Sequence, residues 1–183
     1  MKLLFSIISL FVVMVTLSTN IESVTMAQGS MGLGWQGCPN IRYWISPKMA
    51  IQPAVDLNLQ SSNASGVSLQ NTMFISCKVL MPYKERKDYN LNIGAGIDLT
   101  TITNLNNKSG DSSTIIDIYG LVDIEYFFRF IPDVSVGTNI GVGLTNTTTN
   151  IGGNSVTVNT IGFQAAGFAL NTISSLNLRY YFK

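Results

Sequence analysis

YNLNIGAGIDLT, residues 89–100, alternates without a break. Tyr89, Leu91, Ile93, Ala95, Ile97 and Leu99 share one parity, and Asn90, Asn92, Gly94, Gly96, Asp98 and Thr100 share the other. Successive side chains of a strand point to opposite faces, so this pattern predicts a strand with one apolar face and one small, polar face. Residues 49–60 (MAIQPAVDLNLQ) repeat it, with Met49, Ile51, Val55, Leu57 and Leu59 against Ala50, Gln52, Ala54, Asp56, Asn58 and Gln60. Residues 134–145 do so again, with Val134, Val136, Ile140, Val142 and Leu144 against Ser135, Gly137, Asn139, Gly141, Gly143 and Thr145. Looser alternation predicts strands in 67–81, 114–128 and 174–182, and no helical period follows residue 28.

Charge tests the phase. Arg42, Asp56, Lys78, Asp98, Asp117, Asp123, Glu125 and Arg179 all lie in these strands, each on the face opposite the apolar run. A soluble sandwich would also alternate, but its strands average about 5–6 residues. These run to about 10–15, and their polar face is rich in Gly, Ala, Ser and Asn, which suit a narrow interior. The predicted fold is all-β: an antiparallel up-and-down transmembrane β-barrel of about eight strands, apolar outside and polar within. The eight charges become a candidate lumen network.

Composition agrees. Of 183 residues, 46% are hydrophobic and only 11% charged, against about 25% charged in ordinary soluble domains. A net charge of +1 gives no reason to expect nucleic acid as a partner. Lys2, the apolar stretch Leu3–Leu17 and Thr25-Met26-Ala27 read as a secretory signal peptide over 1–27, leaving 28–183 as the barrel domain. Its apolar core is about 15 residues, short of the roughly 20 a spanning helix needs. No cysteine follows closely enough for a lipid anchor. Cys38 and Cys77 are read as unpaired small side chains.

Short connections are expected at 46–48, 84–88 and 130–133, and longer polar loops at 61–66, 104–113 and 146–154. Aromatics gather at the short turns and the C-terminus: Tyr43, Trp44, Tyr83, Tyr89, Tyr126, Phe128, Tyr180 and Phe182. Such rings prefer a membrane–water boundary, so these eight are expected at one interfacial level, the periplasmic one. Seven crossings can be drawn from 29–37, 39–46, 49–60, 67–82, 89–103, 114–129 and 134–146. An even count then needs one more, placed at 172–182. The stretch 155–169 either extends an outside loop or forms the upper part of a long bent strand, with a break near Asn171-Thr172. The turn between the first two strands is placed at Cys38-Pro39-Asn40.

Several pieces resemble small bacterial outer-membrane proteins with an OMP β-barrel domain: Ile41-Arg42-Tyr43-Trp44-Ile45-Ser46-Pro47-Lys48-Met49-Ala50, Ile124-Glu125-Tyr126-Phe127 with Pro132 after it, and Leu178-Arg179-Tyr180-Tyr181-Phe182. The resemblance implies a Gram-negative outer-membrane location and recognition of the aromatic C-terminal strand by the barrel-assembly machinery. Lys183 after Phe182 departs from that terminal pattern. The resemblance implies no activity.

Catalytic chemistry is scarce. The chain has no histidine, which removes Ser-His-Asp and Cys-His catalysis and the familiar His-bearing metal sites. No phosphate-binding glycine loop is present, and no catalytic residue, metal or cofactor is expected. Asn63, Asn107 and Asn146 head sequons that are read as plain polar loops. The inward carboxylates suit an ion-pair network filling a narrow lumen. The expectation is a non-enzymatic barrel of the cell envelope, in contact with membrane lipid, that is structural or presents its loops at 61–66, 104–113 and 146–171. Two alternatives are a secreted lipocalin-like barrel binding an apolar ligand, which needs the opposite wiring, and a narrow ion-conducting barrel.

Overall fold

The computed structural model describes residues 28–60, 69–86, 88–105, 108–164 and 176–182. The expected signal peptide, the 61–66 loop and the break near Asn171-Thr172 lie outside the described residues. Strands among the described residues are β1 (Met31–Trp35), β2 (Pro39–Ser46), β3 (Met49–Asn58), β4 (Asn71–Glu85), β5 (Tyr89–Thr103), β6 (Ser112–Phe128), β7 (Ile131–Ile151), β8 (Asn154–Gln164) and β9 (Leu176–Phe182). Neighbours follow chain order from β1 to β7, and β9 pairs with both β7 and β1. Eight strands, β1 to β7 and β9, thus form a closed antiparallel barrel.

β8 shares its edge of β7 with β9. Gly141–Ile151 of β7 pair with β8, and Val134–Thr138 pair with β9. The last crossing is therefore in two pieces, with 154–164 as the upper part. The expected long loop at 146–154 is overturned. β7 continues to Ile151, and the turn is Gly152-Gly153 alone, with φ of 57° and 82°. Left-handed φ at both central residues is what a type I′ hairpin turn requires, and glycine adopts it at least cost. The Thr/Asn-rich stretch hid the strand because both of its faces are polar, so it lacks alternation although the backbone pairs in full.

Two turns are displaced. The first lies at Gln36-Gly37-Cys38, with Pro39 opening β2, and the third at Arg129-Phe130 rather than 130–133. Pro82 and Pro132 both fall at register shifts, where a missing N–H breaks no ladder bond.

The phase of the sequence reading holds in β2 to β7 and in β9. Ile93, Val122 and Leu178 are exposed on the outer face, whereas Asp98, Asp123 and Arg179 are buried within. Trp44 corrects the aromatic assignment: it is 0% exposed and packs inside with Ala50, Leu80, Phe127 and Tyr181. Its parity is that of Arg42, so the pleat carries it inward. Tyr43, Tyr83, Phe128, Tyr180 and Phe182 are exposed, and Tyr89 and Tyr126 half-buried. Tyr180 and Phe182, two apart on one face, meet edge to face with centroids 5.0 Å apart.

The wall is uneven. β1, β2 and β9 have 5, 8 and 7 residues, while β6 and β7 have 17 and 21. On the tall side the outer face is apolar up to Ile116 and Leu144. Above them it turns to hydroxyls and amides: Thr114 and Ser112 on β6, Asn146 and Thr148 on β7, Thr157 and Asn159 on β8. Asn146 donates to Asn159 at 2.7 Å, and the Thr148 and Thr157 hydroxyls lie 3.1 Å apart.

Candidate functional site

The lumen is filled rather than hollow. Glu125 on β6 is its centre. Arg42 Nη1 of β2 donates to its Oε2 at 2.9 Å, and Arg179 Nη1 of β9 to its Oε1 at 2.7 Å. Ser135 Oγ donates to Oε1 at 2.6 Å, and the Tyr181 hydroxyl lies 2.9 Å from both oxygens. Two residues along β6, Asp123 accepts from Arg42 Nη2 at 2.9 Å and from Asn92 Nδ2 at 2.8 Å. Gln52 Oε1 accepts from Arg42 Nε and from Arg179 Nη2. Strands far apart in the chain are thus joined across the barrel by charge-assisted bonds, the strong class.

Glycine makes room for these long side chains. A Cβ on Gly32 of β1 would collide with Arg179 and Tyr181, so the guanidinium stem lies over bare backbone there. Likewise Gly96 and Gly143 flank Tyr119, whose hydroxyl donates to Asp98 Oδ1 at 2.8 Å. The glycines on the inward parity are a packing device.

Arg42, Lys78, Asp98, Asp123, Glu125 and Arg179 are all buried: three cations among three carboxylates. Arg42 and Arg179 make direct ion pairs. Lys78 instead donates to Gln36 Oε1 at 3.3 Å. Two sequence-predicted members sit apart from this centre. Asp56 is exposed near the upper end of β3, above the packed part of the lumen, and Asp117 is half-buried and accepts from Thr145. Both keep the inward parity, but parity does not report height along the axis.

Neutral partners were the part that sequence reasoning passed over. Gln36, Asn40, Gln52, Asn92, Ser135 and Tyr181 complete the network. Gln52, Asn92 and Ser135 shared the parity of the charges, which was a usable signal. Gln36 lies in a turn and carried none.

At the short-turn end, Asp88 is buried and accepts from the exposed Arg129 at 2.7 Å. That hydrogen bond, aided by the carboxylate charge, raises the Arg129 guanidinium above its ordinary pKa. At the opposite end Asp111 accepts from Gly152 N at 2.9 Å, tying the 104–111 connection to the β7–β8 turn.

Chemically, this arrangement holds strands in register. Both oxygens of Glu125 and of Asp123 are occupied by donors and shut off from solvent. Among the described residues no group of three or more His, Cys, Asp or Glu is placed to hold a metal ion. Cys38 is buried and Cys77 exposed, both free. No family model matches the chain, and no curated protein and no solved structure does either.

Proposed function

We propose that the chain is a small barrel of a bacterial outer membrane, non-enzymatic, which supports the envelope and presents its tall rim to the outside. The observation that carries this reading is the wiring of the wall, apolar outward and charged inward. Open water would favour the reverse. The dimensions support it. From Val134 to Leu144, at about 3.4 Å per residue and a tilt of about 40°, the apolar face of β7 rises about 26 Å. Outer-membrane barrels carry an apolar band about 25 Å tall. The switch to threonine and asparagine above Ile116 and Leu144 marks where that band ends. Exposed Tyr83, Tyr180 and Phe182 gather at the short-turn end, as interfacial girdles do.

The packed lumen favours a plugged barrel over a conducting one. Arg42, Arg179, Asn92 and Asn139 are almost wholly buried across its middle. An apolar ligand would need an apolar cavity, and this interior is salt-bridged.

Fractionation of cells making the full chain tests the reading. The protein is expected in the outer membrane, migrating faster on gels before boiling than after. Recovery from the soluble periplasm with no mobility shift would overturn it.

A further inference from the structure

We infer that the short-turn rim binds the headgroups of anionic phospholipids, an inference that rests on the membrane reading above. The rim comprises the Pro47-Lys48 turn, the end of β4 with Arg86, and the Arg129-Phe130 turn. Its exposed charges among the described residues are all cationic: Lys48, Lys84, Arg86 and Arg129. Its carboxylates are recessed. Asp88 is buried against Arg129, and Glu85 and Asp133 are half-buried, each with one carboxylate oxygen out of reach of solvent. At the far end the exposed charges among the described residues are Asp56 and Lys108, which offset each other. The barrel is therefore electrically polarised along its axis, although its net charge is only +1.

Chemistry then selects the partner. Ammonium and guanidinium groups beside exposed rings form a surface for phosphate at the depth where headgroups meet acyl chains. Tyr83 is 71% and Phe130 98% exposed on this rim. A soluble polyanion would use the cations but leave those rings in water. A phospholipid uses both. Each basic side chain near an anionic surface adds roughly a fivefold preference. Arg129 is already engaged by Asp88, so Lys48, Lys84 and Arg86 carry the effect.

The full chain, folded into phosphatidylcholine vesicles, is probed with spin-labelled phosphatidylglycerol or spin-labelled phosphatidylcholine. The motionally restricted fraction of each gives their relative association. Phosphatidylglycerol is expected to be favoured about fivefold or more. The preference should fall close to one in K48Q/K84Q/R86Q, and also at about 0.5 M salt, where the Debye length is about 4 Å. Equal restriction of the two lipids by a barrel that still shows its mobility shift would overturn the inference and leave the membrane reading standing. A preference unchanged in the triple variant would overturn it too. Displacement of the labelled lipid by soluble polyphosphate would assign the rim to a free polyanion instead. Failure to insert, with no mobility shift, would overturn the membrane reading and the rim inference together.

Discussion

Glu125 holds two guanidinium groups, a serine hydroxyl and a phenol on one carboxylate. Removing a member leaves charge buried without compensation, and that penalty exceeds the net worth of the bonds. Arg42→Met takes the main cation from Asp123 and one of two from Glu125. We expect it to cost about 3–5 kcal/mol, read as a lower urea midpoint when the folded fraction is followed by gel mobility. Arg42→Lys should recover little, because one ammonium cannot reproduce the fork that reaches Gln52, Asp123 and Glu125 together. Wild-type stability in Arg42→Met would show that the network is ornamental.

Within the strands, glycine sets how closely the wall can pack. A Cβ on Gly94 of β5 would press against the Val79 carbonyl oxygen of β4 and the Leu80 side chain. Backbone cannot swing aside as a side chain can, so Gly94→Ala should destabilise by about 1–3 kcal/mol in the same unfolding assay. The β7–β8 hairpin depends on glycine differently. Alanine at Gly152 and Gly153 would hold a left-handed backbone at about 1–2 kcal/mol each. The expected result is faster hydrogen exchange in β8 and in the β7 amides bonded to it, while the β1–β6 amides stay protected and the mobility shift persists. Uniform loss of protection would show that β8 is integral to barrel closure.

The whole molecule offers two tryptophans on opposite sides of one wall. Trp35 is 59% exposed on the outer face, and Trp44 is fully buried in the lumen. In vesicles of brominated lipid, Trp44→Phe leaves only Trp35, and its fluorescence should be strongly quenched. Trp35→Phe leaves only Trp44, which should be shielded by the barrel. Equal quenching would mean that the wall does not separate lipid from lumen as the wiring requires. The uneven rim belongs to this scale as well. The tall side, β6 to β8, carries the hydroxyl and amide rows beyond the apolar band, the surface that the proposed membrane placement would turn outward.

Parity, repeated over several long strands whose polar face is small, was enough for the barrel, its antiparallel meander and the sidedness of Arg42, Lys78, Asp98, Asp123, Glu125 and Arg179. Alternation is a local property of the pleat, and a boundary between two media imprints it residue by residue. The same parity held the correct place of Trp44, which ring chemistry obscured. Tertiary structure alone decided height and partnership. Asp56 and Asp123 look alike in sequence, yet one is exposed near the end of β3 and the other lies between Arg42 and Asn92, because depth in a lumen depends on shear and on the lengths of neighbouring strands. Where both faces are polar, as in 145–150, no alternation marks the pleat, and only backbone pairing with β8 reveals the upper part of β7.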